Sequence, residues 1–118
     1  MNADDLKQRT KSFALRIIRL VESLPDNRAG QVIGNQLLRS GTSVGANYRA
    51  ACRARSQADF IAKMGIVLEE ADESAFWMEL LVESGMTSEQ KVAALLDEAS
   101  QLVAISVSSI NTTRGNRK

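Results

Sequence analysis

The sequence predicts an all-α protein, an antiparallel up-down four-helix bundle, and three observations carry that expectation. Apolar residues recur at alternating steps of three and four through four long segments, the period of one buried helix face. Stop and cap signals fall between the segments: Pro25-Asp26-Asn27, then Ser56, then Gly85 with Thr87. Aromatic residues make up only 4% of the chain and there is one proline, which disfavours a β-rich fold. At 118 residues the chain is expected to be one domain over 1–118, with helices over 4–24, 27–55, 57–84 and 88–112 and a fraying tail at 113–118. Short breaks between long helices imply antiparallel neighbours.

The first segment places Leu6, Thr10, Phe13, Ile17, Leu20 and Leu24 on one face, with Lys7, Lys11, Arg16 and Arg19 on others. Asp4 or Asp5 suits its N-cap, and Pro25 breaks it. The second seam reads Ile33, Leu37, Ser40, Val44, Asn47 or Tyr48, and Ala51, with a local bend or loosened turn expected at Gly41. Gly30 and Gly34 spell GxxxG, which here lets helices approach. Ser56 caps a third helix carrying Phe60, Met64, Val67, Ala71, Ser74, Met78 and Leu81, and Gly85 stops it. Thr87-x-x-Gln90 reads as a capping box for the fourth, whose seam is Val92, Leu96, Ala99, Val103, Ser106 and Ile110. Leu95, Leu102 and Ile105 form a second apolar row there. Helices three and four are apolar over more than one stripe, which points to self-association.

Composition removes several functions. There is no histidine, so Ser-His and Cys-His catalysis and Glu-x-x-His metal pairs have no base or ligand. Cys52 is the single cysteine, so no intramolecular disulfide or cysteine metal framework can form, which suits a reducing cytoplasm. It reads as a packing residue on its helix. Charged residues interrupt each apolar run short of the ~18–20 residues of a membrane span. The start, MNADDLKQRTK, has no apolar signal core, so no export and no membrane partner are expected. Glu69-Glu70 and Asp72-Glu73 invite an acid-base or metal reading, but neighbouring helix positions point apart, so these groups are expected to be solvated or paired. No catalytic residue, cofactor or metal site is expected.

Two constellations remain. Ser43 and Asn47, four apart, are expected to lie buried and to bond across to Ser74 on helix three or to a backbone carbonyl freed near Gly41, fixing helix register. Arg49 and Arg53, one turn apart, lie near Arg55 and Lys63, with Arg39 nearly three turns earlier. These five are candidate contacts for nucleic-acid phosphate, or for Glu69, Glu70, Asp72 and Glu73 within the chain or across a subunit interface. No aromatic ladder interleaves them, so base recognition has no support. The net charge of +1 hides a balance of +6 in residues 1–63 and −5 in residues 64–118. Such a division can steer an anionic partner or bind the two halves together.

Three stretches carry a resemblance. Gln36-Leu37-x-Arg39-Ser40-x-Thr42-Ser43-Val44-x-Ala46-Asn47 is the first, and Ser56-x-x-Asp59-Phe60-x-x-Lys63 the second. Glu69-Glu70-Ala71-Asp72-Glu73-Ser74 with Trp77 is the third. Together they resemble the 23S rRNA intervening-sequence proteins over roughly residues 6–112. The resemblance implies an up-down bundle assembling into a cyclic homopentamer, with nucleic-acid binding in a more basic relative. This chain departs from the pattern at Ala50, where many relatives carry Glu. The expected function is a non-enzymatic, cytoplasmic, self-associating bundle, an RNA-associated or scaffold module with non-specific binding of RNA or DNA. The alternative is a protein–protein adaptor whose arginines serve subunit interfaces, with no nucleic-acid binding.

Overall fold

Four helices and no strand occupy residues 1–115, the part of the chain that the computed structural model describes. They are α1 (Ala3–Glu22), α2 (Arg28–Cys52), α3 (Gln57–Glu83) and α4 (Glu89–Gly115). Side chains that satisfy the first free N–H groups set where each begins. Asn2 caps α1, accepting from the Asp5 N–H at 2.9 Å, while the Asp5 carboxylate takes the Asn2 N–H at 3.2 Å. This reciprocal pair moves the cap outward from Asp4 or Asp5, the positions expected from sequence. Asn27 accepts from Gly30 N–H at 2.7 Å and opens α2; Ser56 accepts from Asp59 N–H at 3.0 Å and opens α3.

The turn from α3 to α4 corrects another cap. Gly85 takes a left-handed φ of 81°, which glycine adopts without steric cost, and the Met86 and Gly85 N–H groups return to Leu81 and Val82 carbonyls at 3.0 Å. The Thr87 N–H follows to the Leu81 carbonyl at 3.3 Å. Thr87 is thereby used in ending α3, and Ser88 caps α4 instead, accepting from the Lys91 N–H at 3.3 Å. Thr87 Oγ1 is left as the one buried side-chain polar atom without a partner among the described residues. At the other end, α4 runs on through Thr113, whose hydroxyl donates to the Ser109 carbonyl at 2.9 Å, to Gly115. The expected fraying from residue 113 is therefore not seen at 113–115; residues 116–118 lie outside the described part.

Consecutive helices pack along their lengths, α1 on α2, α2 on α3 and α3 on α4, while α1 meets α4 along a much shorter seam. The result is an elongated four-helix bundle of 52 × 21 × 20 Å. Phe13, Ile17, Leu37, Val44, Met64, Met78, Leu81, Val92 and Leu102 fill its core. In α4 the axis rotates slightly from the expected seam: Leu95 and Leu102 are buried, and Leu96 and Val103 are only half-buried. By length and composition α4 is apolar enough to span a membrane, with mean hydropathy 1.2 over 18 residues, contrary to the sequence expectation. Its buried row of Val92, Leu95, Ala99, Leu102 and Ile110 lines the bundle core, while only 28% of that apolar window is buried and Val107 stays exposed.

Glycines set the distance between α1 and α2. A Cβ on Gly41 would lie 2.8 Å from Ile17 Cγ2, and one on Gly34 would lie 3.3 Å from Leu24 Cδ1. Pairing of residue 41 with 17 and of residue 34 with 24 shows the two helices to be antiparallel. α2 continues as α-helix through Gly41, so the turn expected to loosen there keeps its helical form. Gly41 provides room for a neighbour, and the ordinary i to i−4 ladder is kept.

Candidate nucleic-acid interface

The buried polar link between helices differs from the one predicted. Ser40 and Ser74 are fully buried, and their hydroxyl oxygens lie 3.0 Å apart across the α2–α3 seam. Each also reaches a carbonyl of its own helix, Leu37 for Ser40 at 3.3 Å and Glu70 for Ser74 at 2.8 Å. With one proton apiece, the pair supports one bond across the seam and one back to a helix carbonyl. Ser43 and Asn47 are half-buried and turned to their own helix. The Ser43 hydroxyl donates to the Arg39 carbonyl at 2.7 Å, and the Asn47 amide donates to the Ser43 carbonyl at 2.9 Å. The helical phase explains the exchange, since Ser40 falls with Leu37 and Val44 on the core face.

The five basic candidates divide in two. Arg39 forks onto two carboxylates of α3, reaching Glu70 at 2.9 Å and also contacting Glu73. Lys63 pairs with Asp59 one turn earlier on α3 at 3.0 Å. Hydrogen bonding to Lys63 holds the Asp59 carboxyl below its ordinary range. These two cations are engaged by acids of the same chain. Arg49, Arg53 and Arg55 are exposed and form no ion pair among the described residues. Arg53 is the C-cap of α2, its N–H reaching the Ala50 and Ala51 carbonyls, and Arg55 follows in the connection to α3. The three therefore cluster at one end of the bundle. Arg39 lies ten residues before Arg49, about 15 Å along the helix.

Charge placement explains the division. Helix α2 contains three arginines and no carboxylate, whereas α3 carries seven acids and one lysine. Arg39 sits in mid-helix, opposite the acids of α3. Arg49 instead shares an open groove between α1 and α2 with Lys7 and Lys11, about 450 Å³ in volume. Sequence reasoning placed those lysines off the α1 core face without assigning them to any site. Their neighbour only becomes visible once α1 and α2 are paired. It also missed the ion pair that closes α1 onto α4, Arg9 to Glu98 at 2.7 Å, with Gln101 accepting from the same guanidinium at 3.0 Å.

Glu73 ties together two features of α3. Its carboxylate accepts from the Trp77 indole N–H at 3.0 Å and from Arg39. The indole bond first, and then Arg39, hold its carboxyl below the ordinary carboxylate value. Folded Glu73 thus binds its proton less readily than unfolded Glu73. Its stabilising contribution is complete above the ordinary carboxylate range and is lost as pH falls through the lowered folded value. Glu73→Gln, which can still accept both hydrogen bonds, should flatten the acid side of the stability profile. Urea midpoints between pH 3 and 7 test this; an acid limb as steep as in the unsubstituted chain would refute it.

Cys52 is exposed, so it is not the packing residue expected from sequence. Next to it, burial pushes the Tyr48 phenol up from its ordinary range. No group of three or more Asp, Glu or Cys side chains is placed to hold a metal among the described residues.

The fold and the charge layout define a class: a small all-α protein of four bundled helices with an arginine-bearing end. A model of the 23S rRNA-intervening sequence protein family matches residues 4–108. The chain belongs to that family. It is also similar to a solved structure from Bacteroides thetaiotaomicron VPI-5482, a protein of unknown function from the S23 ribosomal protein family. The two are 36% identical, with a TM-score of 0.83, over 88% of this chain and 96% of that one. No curated protein matches. Nothing in these likenesses points to catalysis.

Proposed function

We propose that this chain is a non-enzymatic, self-associating module of the cytoplasm that binds the backbone of RNA or DNA without reading sequence. The observation that carries the reading is the exposed trio Arg49, Arg53 and Arg55, free of ion pairs among the described residues and continuous with a helix that has no carboxylate. Phosphate is the partner that such a surface attracts, and counterion release supplies the affinity. The family description, which refers to 23S rRNA, favours RNA as the physiological strand.

A fluorescent single strand of mixed sequence, titrated across a salt series, tests the reading. The three arginines alone contribute about −2 to the slope of log affinity against log salt, and Arg53→Ala should lessen the slope by about 0.7. No binding at micromolar protein, or binding indifferent to salt, would remove nucleic acid from the function.

The self-associating part rests on α3. Ile66 and Phe76 are exposed there at 40% and 51%, and Phe76 meets half-buried Trp77 edge to face at 5.0 Å. A homopentamer would have five times the 12.9 kDa mass of one chain in light scattering. The same apolar surface supports the rival reading, a protein–protein adaptor with arginines at subunit contacts. In that case Arg49→Ala and Arg53→Ala dissociate the assembly while nucleic-acid affinity stays negligible.

A further inference from the structure

The geometry points to the groove between α1 and α2 as the seat of a backbone phosphate, held by Lys7, Lys11 and Arg49; this assignment rests on the nucleic-acid reading above. Small side chains make the groove. Thr10 and Ala14 on α1 face Thr42, Gly45 and Ala46 on α2, and a Cβ on Gly45 would stand 3.3 Å from Thr10 Oγ1. The helix backbones therefore approach closely, and the long cationic side chains rise from a low floor. No carboxylate lines the groove.

The floor itself offers little to an anion. The Thr10 hydroxyl donates to the Leu6 and Lys7 carbonyls and Thr42 to those of Leu38 and Arg39, so both protons are engaged within their helices. Recognition falls to the three cations. Lys7 and Lys11 are one turn apart on α1, and Arg49 reaches in from the opposite wall, so an anion between the walls meets positive charge from both sides. None of the three forms an ion pair among the described residues, in contrast to Arg9, Arg39 and Lys63.

A second cationic cleft, between α1 and α4, contains Arg16, Arg19 and Lys91 and is smaller at about 320 Å³. Continuity separates the two. Arg49 is one helical turn from Arg53, so a strand seated in the α1–α2 groove extends directly to the arginine-bearing end. The α1–α4 cleft lies toward the other end of α1, at Arg16 and Arg19, away from Arg53 and Arg55. The spacing suits a strand crossing the α1–α2 face rather than a ligand enclosed by it.

The full chain, titrated with the same mixed-sequence RNA strand, tests the assignment. With Lys7 and Lys11 added to the arginine trio, five contacts give a slope of about −3.5, and Lys7→Gln with Lys11→Gln should return it to the trio's about −2, two contacts at about 0.7 each. Arg16→Gln with Arg19→Gln removes the same charge and should leave the slope unchanged. Amide resonances of Gly45 and Ala46 should shift on RNA addition, a readout that needs no variant. If the unsubstituted chain binds RNA but both variant pairs lose slope equally, or Gly45 and Ala46 stay still, the groove is overturned and the broader reading stands. If the unsubstituted chain binds no RNA, both fall together.

Discussion

Gly41→Val should destabilise the bundle by about 1–3 kcal/mol, even though valine is the better helix former. The first added atom already decides the sign. A Cβ at this position would lie 2.8 Å from Ile17 Cγ2, 2.9 Å from Cγ1 and 3.1 Å from Cβ, so three atoms of one fully buried side chain block it. Ile17 cannot swing outward, because Cβ itself is in the way and the surrounding core is closed. Either α1 moves off α2 along the seam or Ile17 leaves its rotamer well. Ile17→Ala alone leaves a cavity and costs about 2–5 kcal/mol. Combined with Gly41→Val it should cost clearly less than the sum of the two single changes, since each relieves the other's fault. Urea denaturation of the four proteins reads the coupling; strict additivity would show that Gly41 and Ile17 do not determine the helix spacing.

Phe13→Ala should cost about 3–5 kcal/mol, the largest loss expected from any single truncation in this core. Phe13 has no exposed surface, and α1 has few other large side chains facing inward. Because α1 is fastened to α4 only along a short seam, the loss falls on the packing that keeps the helix in place. A domain of this size has about 5–15 kcal/mol in hand, so the variant should melt about 10–20 °C lower. Phe76→Ala makes the contrast. Phe76 is 51% exposed, so its removal should leave the monomer's melting point nearly unchanged while weakening any association through α3. Equal shifts for the two would mean that exposure on α3 does not describe the protein in solution.

Periodicity made the helices legible, because one buried face per helix forces apolar residues into steps of three and four. Cap positions were less legible where two candidates stood side by side. Asn2 and Asp5 satisfy each other, and Thr87 is diverted by the turn at Gly85, so each start differs from its strongest local signal. Gly41 shows a second limit. A glycine in a helix pattern is equally compatible with a bend and with a close neighbour, and only the partner helix, through Ile17, decides. The polar residues show a third. Ser40, Ser43 and Asn47 all lie within two turns, and a small rotation of α2 determines which of them faces Ser74. Arg39 could be suspected of pairing with Glu70 and Glu73 from charge alone. The joining of Lys7 and Lys11 with Arg49 could not, because it depends on which helix lies beside α1.

The unequal seams also bear on how quickly the chain finds its shape. Nearly all interhelical contacts join consecutive helices across the short connections 23–27, 53–56 and 84–88, and only the α1–α4 seam links the two ends of the chain. Each helical hairpin can form before the next without closing a long loop. Such low contact order places folding on the order of microseconds to milliseconds, with the meeting of α1 and α4 as the one step that needs the whole chain.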